Sequence, residues 1–170
     1  MIAPTLHTKR LTLRAHSRED FPQYRDVFAT DHTKYMGGPL TEQQSWAMFC
    51  KDIAQWPLFG HGAWAVTKTE NGEFVGQVGI NAHPYFPETE LGWLVLPNAA
   101  RQGIALEAAR AVRDWAYATL NLTSLVSYIH VANAASIALA KKLGAFCDQD
   151  AEPCPFENHV VYRHPMLEAA

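Results

Sequence analysis

Arg101-Gln102-Gly103-Ile104-Ala105 opens a helix just after an apolar run at 90–96, and Gly103 and Ala105 leave its first turn sterically bare. The first turn of a helix has backbone N–H groups without intrahelical partners and the positive end of the helix dipole. A pyrophosphate can therefore bind there without a lysine cluster, and Arg101 is placed to add a charged contact. The same small residues would also serve tight helix packing, and spacing alone leaves both readings open. Neither G-x-G-x-x-G nor G-x-x-x-x-G-K-[ST] occurs in the chain, so the turn is not a nucleotide fingerprint. Asn133 and Ser136 stand at the N-cap and N3 positions of a later helix, where both suit capping. Glu107 falls early in the long helix, where a carboxylate favours the dipole, and is read as structural. The eight histidines include no i, i+4 pair with a carboxylate, and Cys50, Cys147 and Cys154 form no C-x-x-C. Neither a metal site nor a disulfide framework is indicated, and a reducing cytoplasm fits.

The elements that must position these residues are legible from periodicity and breakers. A short strand at 11–14 precedes a helix at 21–29, with Ser17 to Asp20 supplying capping residues. Thr41 and Gln44 stand in capping-box spacing, and Trp46, Phe49, Ile53 and Trp56 recur every three to four residues, so a second helix is predicted over 42–55, closed by Pro57 and Gly60. Strands at 63–68 and 74–81 flank Asn71-Gly72, a hairpin signal, and the run at 90–96 reads as a buried central strand. Ile104, Ala108, Val112, Trp115 and Thr119 form one stripe of an amphipathic helix. A strand at 124–130, a helix at 133–143 closed by Gly144, and strands at 145–148 and 159–164 complete the chain. The expected fold class is α/β (α+β), with about four helices on a mixed, mostly antiparallel sheet of about six to seven strands, in one domain over residues 1–170.

With 170 residues, 48% hydrophobic and 18% charged, the chain has the composition of one packed globular domain. Its net charge of −3 provides no electrostatic footprint for nucleic acid, and no apolar run approaches the ~18 residues of a membrane span.

Thr8-Lys-Arg-Leu-Thr-Leu-Arg14, Glu90-Leu-Gly-Trp93, Gln102-Gly-Ile-Ala-Leu-Glu-Ala108, Asn133-Ala-Ala-Ser136 and Lys142-Leu-Gly-Ala-Phe146 follow one another in the order and separation of the GNAT superfamily of acyl-CoA-dependent N-acetyltransferases, which the chain resembles in its RimJ/RimL-type branch. The resemblance implies acetyl-CoA as co-substrate and no metal. It implies that the pyrophosphate lies on Arg101, Gln102, Gly103, Ile104, Ala105 and Leu106, and that the pantetheine runs along Leu94, Val95 and Leu96 between splayed central strands. Asn133 and Ser136 would contact the pantetheine arm and the sulfur. Glu90 would accept the amine proton, with Glu157 as the second candidate base. Two positions depart from the pattern: Ala100 stands where Gln or Arg is common, and Ala140 stands where many members carry a tyrosine acid. Protonation of the leaving thiolate then falls to Ser136 or solvent, with Tyr128 as an outside candidate. His130, ending a strand, is either a polar strand end or a group facing the acceptor cleft.

A nucleophilic amine must be neutral. An α-amino group of pKa ~7.8 is about 2.6 units easier to deprotonate than a lysine, or ~3.5 kcal/mol, which leans the expectation toward protein N-termini or small-molecule amines. Aromatics at Tyr35, Trp56, Phe59, Tyr85, Phe86 and Phe156 fall in the irregular connections, as expected of a partly apolar acceptor site or a homodimer contact. The alternative from another class is a non-catalytic acyl-CoA-binding sensor or interaction module.

Overall fold

In the computed structural model, which describes residues 2–166, eight strands form one sheet in the order β1-β2-β3-β4-β5-β6-β8-β7. They are β1 (Leu6–His7), β2 (Leu11–Arg14), β3 (Ala63–Lys68), β4 (Phe74–Asn81), β5 (Glu90–Val95), β6 (Val126–His130), β7 (Phe146–Cys147) and β8 (His159–Arg163). Every pairing is antiparallel except β5 with β6, which are joined by the crossover helix α3 (Ile104–Leu120). Helices α1 (Phe21–Phe28), α2 (Glu42–Phe59) and α4 (Ala134–Lys142) and three short 3₁₀ turns complete the described residues. The expected mixed, mostly antiparallel sheet with four α-helices is present, with one strand more than foreseen. β1 is two residues long, and its partner geometry comes from the Thr8 N–H donating to Leu11 O at 2.9 Å, a turn too local to leave a periodic signal.

Strand alternation builds two cores. Leu13, Trp64, Val66, Val78, Ile80 and Leu91 point to the face covered by α3, where they meet Ile104, Ala108 and Val112. Ala65, Leu94 and Leu96 point to the opposite face, under Tyr24, Phe28 and Phe49 of α1 and α2. Trp64 is fully buried and donates its indole N–H to Pro4 O at 2.7 Å, so its truncation to alanine would cost about 3–5 kcal/mol.

Several boundaries differ from the sequence expectation. α2 continues through Pro57 to Phe59 at the loss of one hydrogen bond, since proline has no N–H to donate to Ile53 O, and Gly60, at φ 76°, ends the helix by donating to Trp56 O. Trp46 is 44% exposed and packs edge-on against Phe21, while buried Ser45, Phe49, Asp52 and Trp56 form the inward stripe of α2. On α3 the stripe ends at Ala116, with Thr119 exposed and Arg113 buried, donating to Leu143 O at 2.6 Å and so capping the C-terminus of α4. No helix among the described residues is long and apolar enough to cross a membrane. Met1 and residues 167–170 of the expected domain lie outside the described residues.

Candidate active site

Among the described residues, the parallel pairing of β5 with β6 is confined to Glu90 opposite Val126. Val126 N donates to Thr89 O at 3.1 Å and Ser127 Oγ to Leu91 O at 2.6 Å, so odd-numbered residues of β5 turn their backbone toward β6. Beyond Leu91 the strands part, and Trp93 and Val95 present N–H and C=O groups to a gap; His32 Nε2 reaches in to donate to Val95 O at 2.9 Å. A cavity of about 430 Å³ opens here, on the α1–α2 side of the sheet. An open strand edge with unpaired amides takes an extended amide chain as it would take another strand, which suits a pantetheine arm. Leu94 lines the cavity, and Leu96 is buried behind it.

Glu90 stands where the strands part, and its carboxylate accepts from Asn81 Nδ2 at 2.9 Å. Desolvation raises its pKa to about 6, against opposing contributions from Asn81, the Tyr128 backbone and Lys51. The pair exists because Asn81 lies directly opposite Glu90 in the β4–β5 register and because residue 92 is glycine: a Cβ there would lie 2.9 Å from Asn81 Nδ2. A carboxylate with a pKa near neutrality, on a cavity wall, has the properties of a general base.

Asn133 caps α4 by accepting from Ser136 N at 3.2 Å, as the spacing requires. Ser136 Oγ accepts from Trp93 Nε1 at 3.2 Å, and both Asn133 and Ser136 line the cavity. Glu157 is exposed and does not line the cavity, whereas its neighbours Phe156 and His159 do. The Glu157 carbonyl instead accepts from His159 Nδ1 at 2.8 Å. Tyr128 also lines the cavity, with its hydroxyl accepting from Glu88 N at 3.1 Å and its pKa raised by burial. Ala140, where the resemblance would have a tyrosine acid, is fully buried and part of the core.

His130 faces the cavity and belongs to an unbroken run of ring contacts around its mouth. Tyr35 stacks on His130 at 4.7 Å, His130 meets His159 at 5.2 Å, and His159 meets Phe156 at 5.5 Å. Phe156 then meets Phe86 at 5.7 Å, and Phe86 touches both Tyr128 at 5.2 Å and His83 at 4.6 Å, which stacks on Tyr85. The 3₁₀ turn at 31–36, the loops before β5 and before β8, and the strands β6 and β8 themselves supply these rings.

The turn at the start of α3 is not part of this cavity's lining. Arg101 and Gly103 adopt left-handed conformations at φ 61° and 77°, and the first intrahelical bond runs from Glu107 N to Gly103 O. The amides before Glu107 are thereby left for an anion. Glu107 is structural, as expected: its carboxylate accepts from Thr8 Oγ1 at 2.6 Å, Arg10 N at 2.9 Å and Arg10 Nε at 2.7 Å. Burial works to raise its pKa, but these donors hold it below the usual range. Arg10 in turn donates to Gln102 O at 3.0 Å, fixing the turn against β2.

Sequence reasoning missed Asp52 and Gln77. Asp52 lies on the cavity wall, with its Oδ2 accepting from Tyr24 Oη at 3.1 Å and Gln77 Nε2 at 2.8 Å. Its signal was a carboxylate in helical phase with buried Phe49 and Trp56; that of Gln77 and Asn81 was two amides on one face of an otherwise apolar strand.

A family model for the acetyltransferase (GNAT) domain matches residues 10–145. The chain is 46% identical to an acetyltransferase of Agrobacterium tumefaciens str. C58 of known crystal structure, covering 98% of this chain and 96% of that one with a TM-score of 0.93. It is 26% identical over 145 residues to the uncharacterized N-acetyltransferase YoaA of Bacillus subtilis, covering 83% and 82% of the two chains. At 17% identity its fold matches that of spermidine N-acetyltransferase from Vibrio cholerae, solved with CoA and spermine, with a TM-score of 0.71 over 92% and 94% of the chains. Since the family match runs from β2 to just past α4, and so contains the parted strands and the starts of α3 and α4, the chain belongs to the GNAT acetyltransferases.

Proposed function

We propose that this protein is an N-acetyltransferase of the RimJ/RimL type that moves an acetyl group from acetyl-CoA to a primary amine, on a chain N-terminus or a small molecule, by direct attack in a ternary complex. The observation that carries the reading is Glu90, a carboxylate with a pKa of about 6 where β5 and β6 part. At pH 7 it is largely ionised and can take the amine proton, directly or through water. The gap-facing N–H groups of β5 are placed to hold the oxyanion of the tetrahedral intermediate, and the Ser136 hydroxyl to protonate the thiolate as the C–S bond breaks. Amides 101–106 would hold the pyrophosphate and Asn133 the pantetheine arm. Exposed Cys50 and Cys147 and half-buried Cys154, all free thiols, suit a reducing cytoplasm.

The test is thermal unfolding with and without acetyl-CoA, followed by thiol release with a panel of amines. At a hundredfold excess over Kd, acetyl-CoA should contribute about 2.7 kcal/mol, a rise of roughly 5–10 °C in Tm. Stabilisation without release on any amine would select the sensor reading instead, and no stabilisation would remove both.

A further inference from the structure

The charged groups on the cavity wall are unequal in sign. Asp52 and Glu90 contribute carboxylates, whereas Lys51 is the cationic side chain there and sits 3.9 Å from Asp52 Oδ1. The ring contacts run from Tyr35 to Tyr85 along the same cavity, and part of this run faces water: Tyr85 is 55% exposed and Phe156 43%. Exposed rings gathered at a cavity mouth are surface that an apolar ligand would cover. A carboxylate beside the reacting amine would enter a site that already holds two, with Lys51 already drawn to Asp52.

We propose, building on the acetyltransferase reading above, that the acceptor is a primary amine on an aromatic or bulky apolar body with no free carboxylate next to the amine. An arylalkylamine has this chemistry, and so does a chain N-terminus whose first residue is aromatic, because its carboxyl is an amide. The neutral amine enters between the carboxylates, its nitrogen forms a bond to the acetyl carbon while an N–H proton passes to Glu90, and the C–S bond breaks so that CoA leaves as the thiol. The rings hold the body while this happens.

Thiol release is measured with acetyl-CoA and four acceptors, phenethylamine, Phe-Ala amide, free phenylalanine and spermidine, with rates corrected to the neutral amine. Phenethylamine or Phe-Ala amide should exceed free phenylalanine by about 30-fold or more in kcat/KM, and which of the two leads identifies the source of the amine. Tyr85→Ala and Phe86→Leu should each reduce that leading value about three- to tenfold; Tyr85 is exposed, so its variant separates recognition from folding. Equal or better use of phenylalanine, or a preference for spermidine, would overturn the proposal while leaving acetyl transfer intact. Stabilisation by acetyl-CoA with no release from any acceptor would also overturn it, and absence of stabilisation would sink the underlying reading.

Discussion

The Trp93 indole N–H donates to Ser136 Oγ across 3.2 Å, tying β5 to the start of α4 on the cavity wall. An indole N–H cannot accept, so the serine oxygen receives this bond and keeps its own proton for another partner. A proton poised in this way suits a departing thiolate. Ser136→Ala is expected to lower kcat about tenfold, and Trp93→Phe, which leaves the hydroxyl but frees its rotor, about threefold. Steady-state thiol release checks both, and an unchanged kcat in Ser136→Ala would take the hydroxyl out of the chemistry.

Glu90 sets a pH dependence. Its protonated form cannot act as base, so below pH ~6 log kcat/KM should fall with a slope of two, one proton going to the amine and one to Glu90. Glu90→Gln should lose about 100-fold in kcat and keep a slope of one. Asn81→Ala removes a hydrogen bond that favours the ionised carboxylate, so the Glu90 limb should move to higher pH. A Gln variant that retained the second proton would exclude Glu90 as the base.

Gly103 occupies φ 77°, and an added Cβ would lie 3.4 Å from Arg10 Nη2. Gly103→Ala is therefore expected to cost about 1–2 kcal/mol of stability through left-handed strain. It should also weaken acetyl-CoA binding about tenfold by disturbing the amides beside it. Calorimetric titration of the folded variant reads the second effect apart from the first; an unchanged Kd would move the pyrophosphate elsewhere.

His164 is 2% exposed and its pKa is pushed down to about 4, first by burial and then by nearby Arg113. Ser127 Oγ donates to Leu91 O, so it accepts from His164 Nε2 at 2.9 Å. Because the folded pKa lies below the unfolded ~6.5, the unfolded chain alone takes up this proton between pH ~6.5 and ~4, and stability falls as pH drops through that window. The contribution is up to about 3 kcal/mol, present in full above pH ~6.5. Urea titrations at pH 7 and pH 4.5 should show a larger loss for the wild type than for His164→Gln, and equal losses would contradict the assignment.

The elements and their order were legible because helices and strands are written in short-range pattern: Thr41 with Gln44, Asn133 with Ser136 and Asn71-Gly72 each act within a turn of themselves. The bare turn at Gly103 was legible for the same reason. What the sequence could not settle depends on neighbours far along the chain. Glu90 becomes a base through desolvation and contacts supplied by Asn81 on β4, Tyr128 on β6 and Lys51 on α2, none of them within eight residues of it. Glu157 and His159 are two residues apart, yet His159 turns to the cavity and Glu157 to solvent, a choice made by the β6–β8 register that sets His159 opposite His130. Asp52 reads as an ordinary helix carboxylate until α2 lays it against Gln77. Local chemistry is determined by residues a turn away, whereas burial, proton affinity and the parting of β5 from β6 follow from packing between segments that only the tertiary fold brings together.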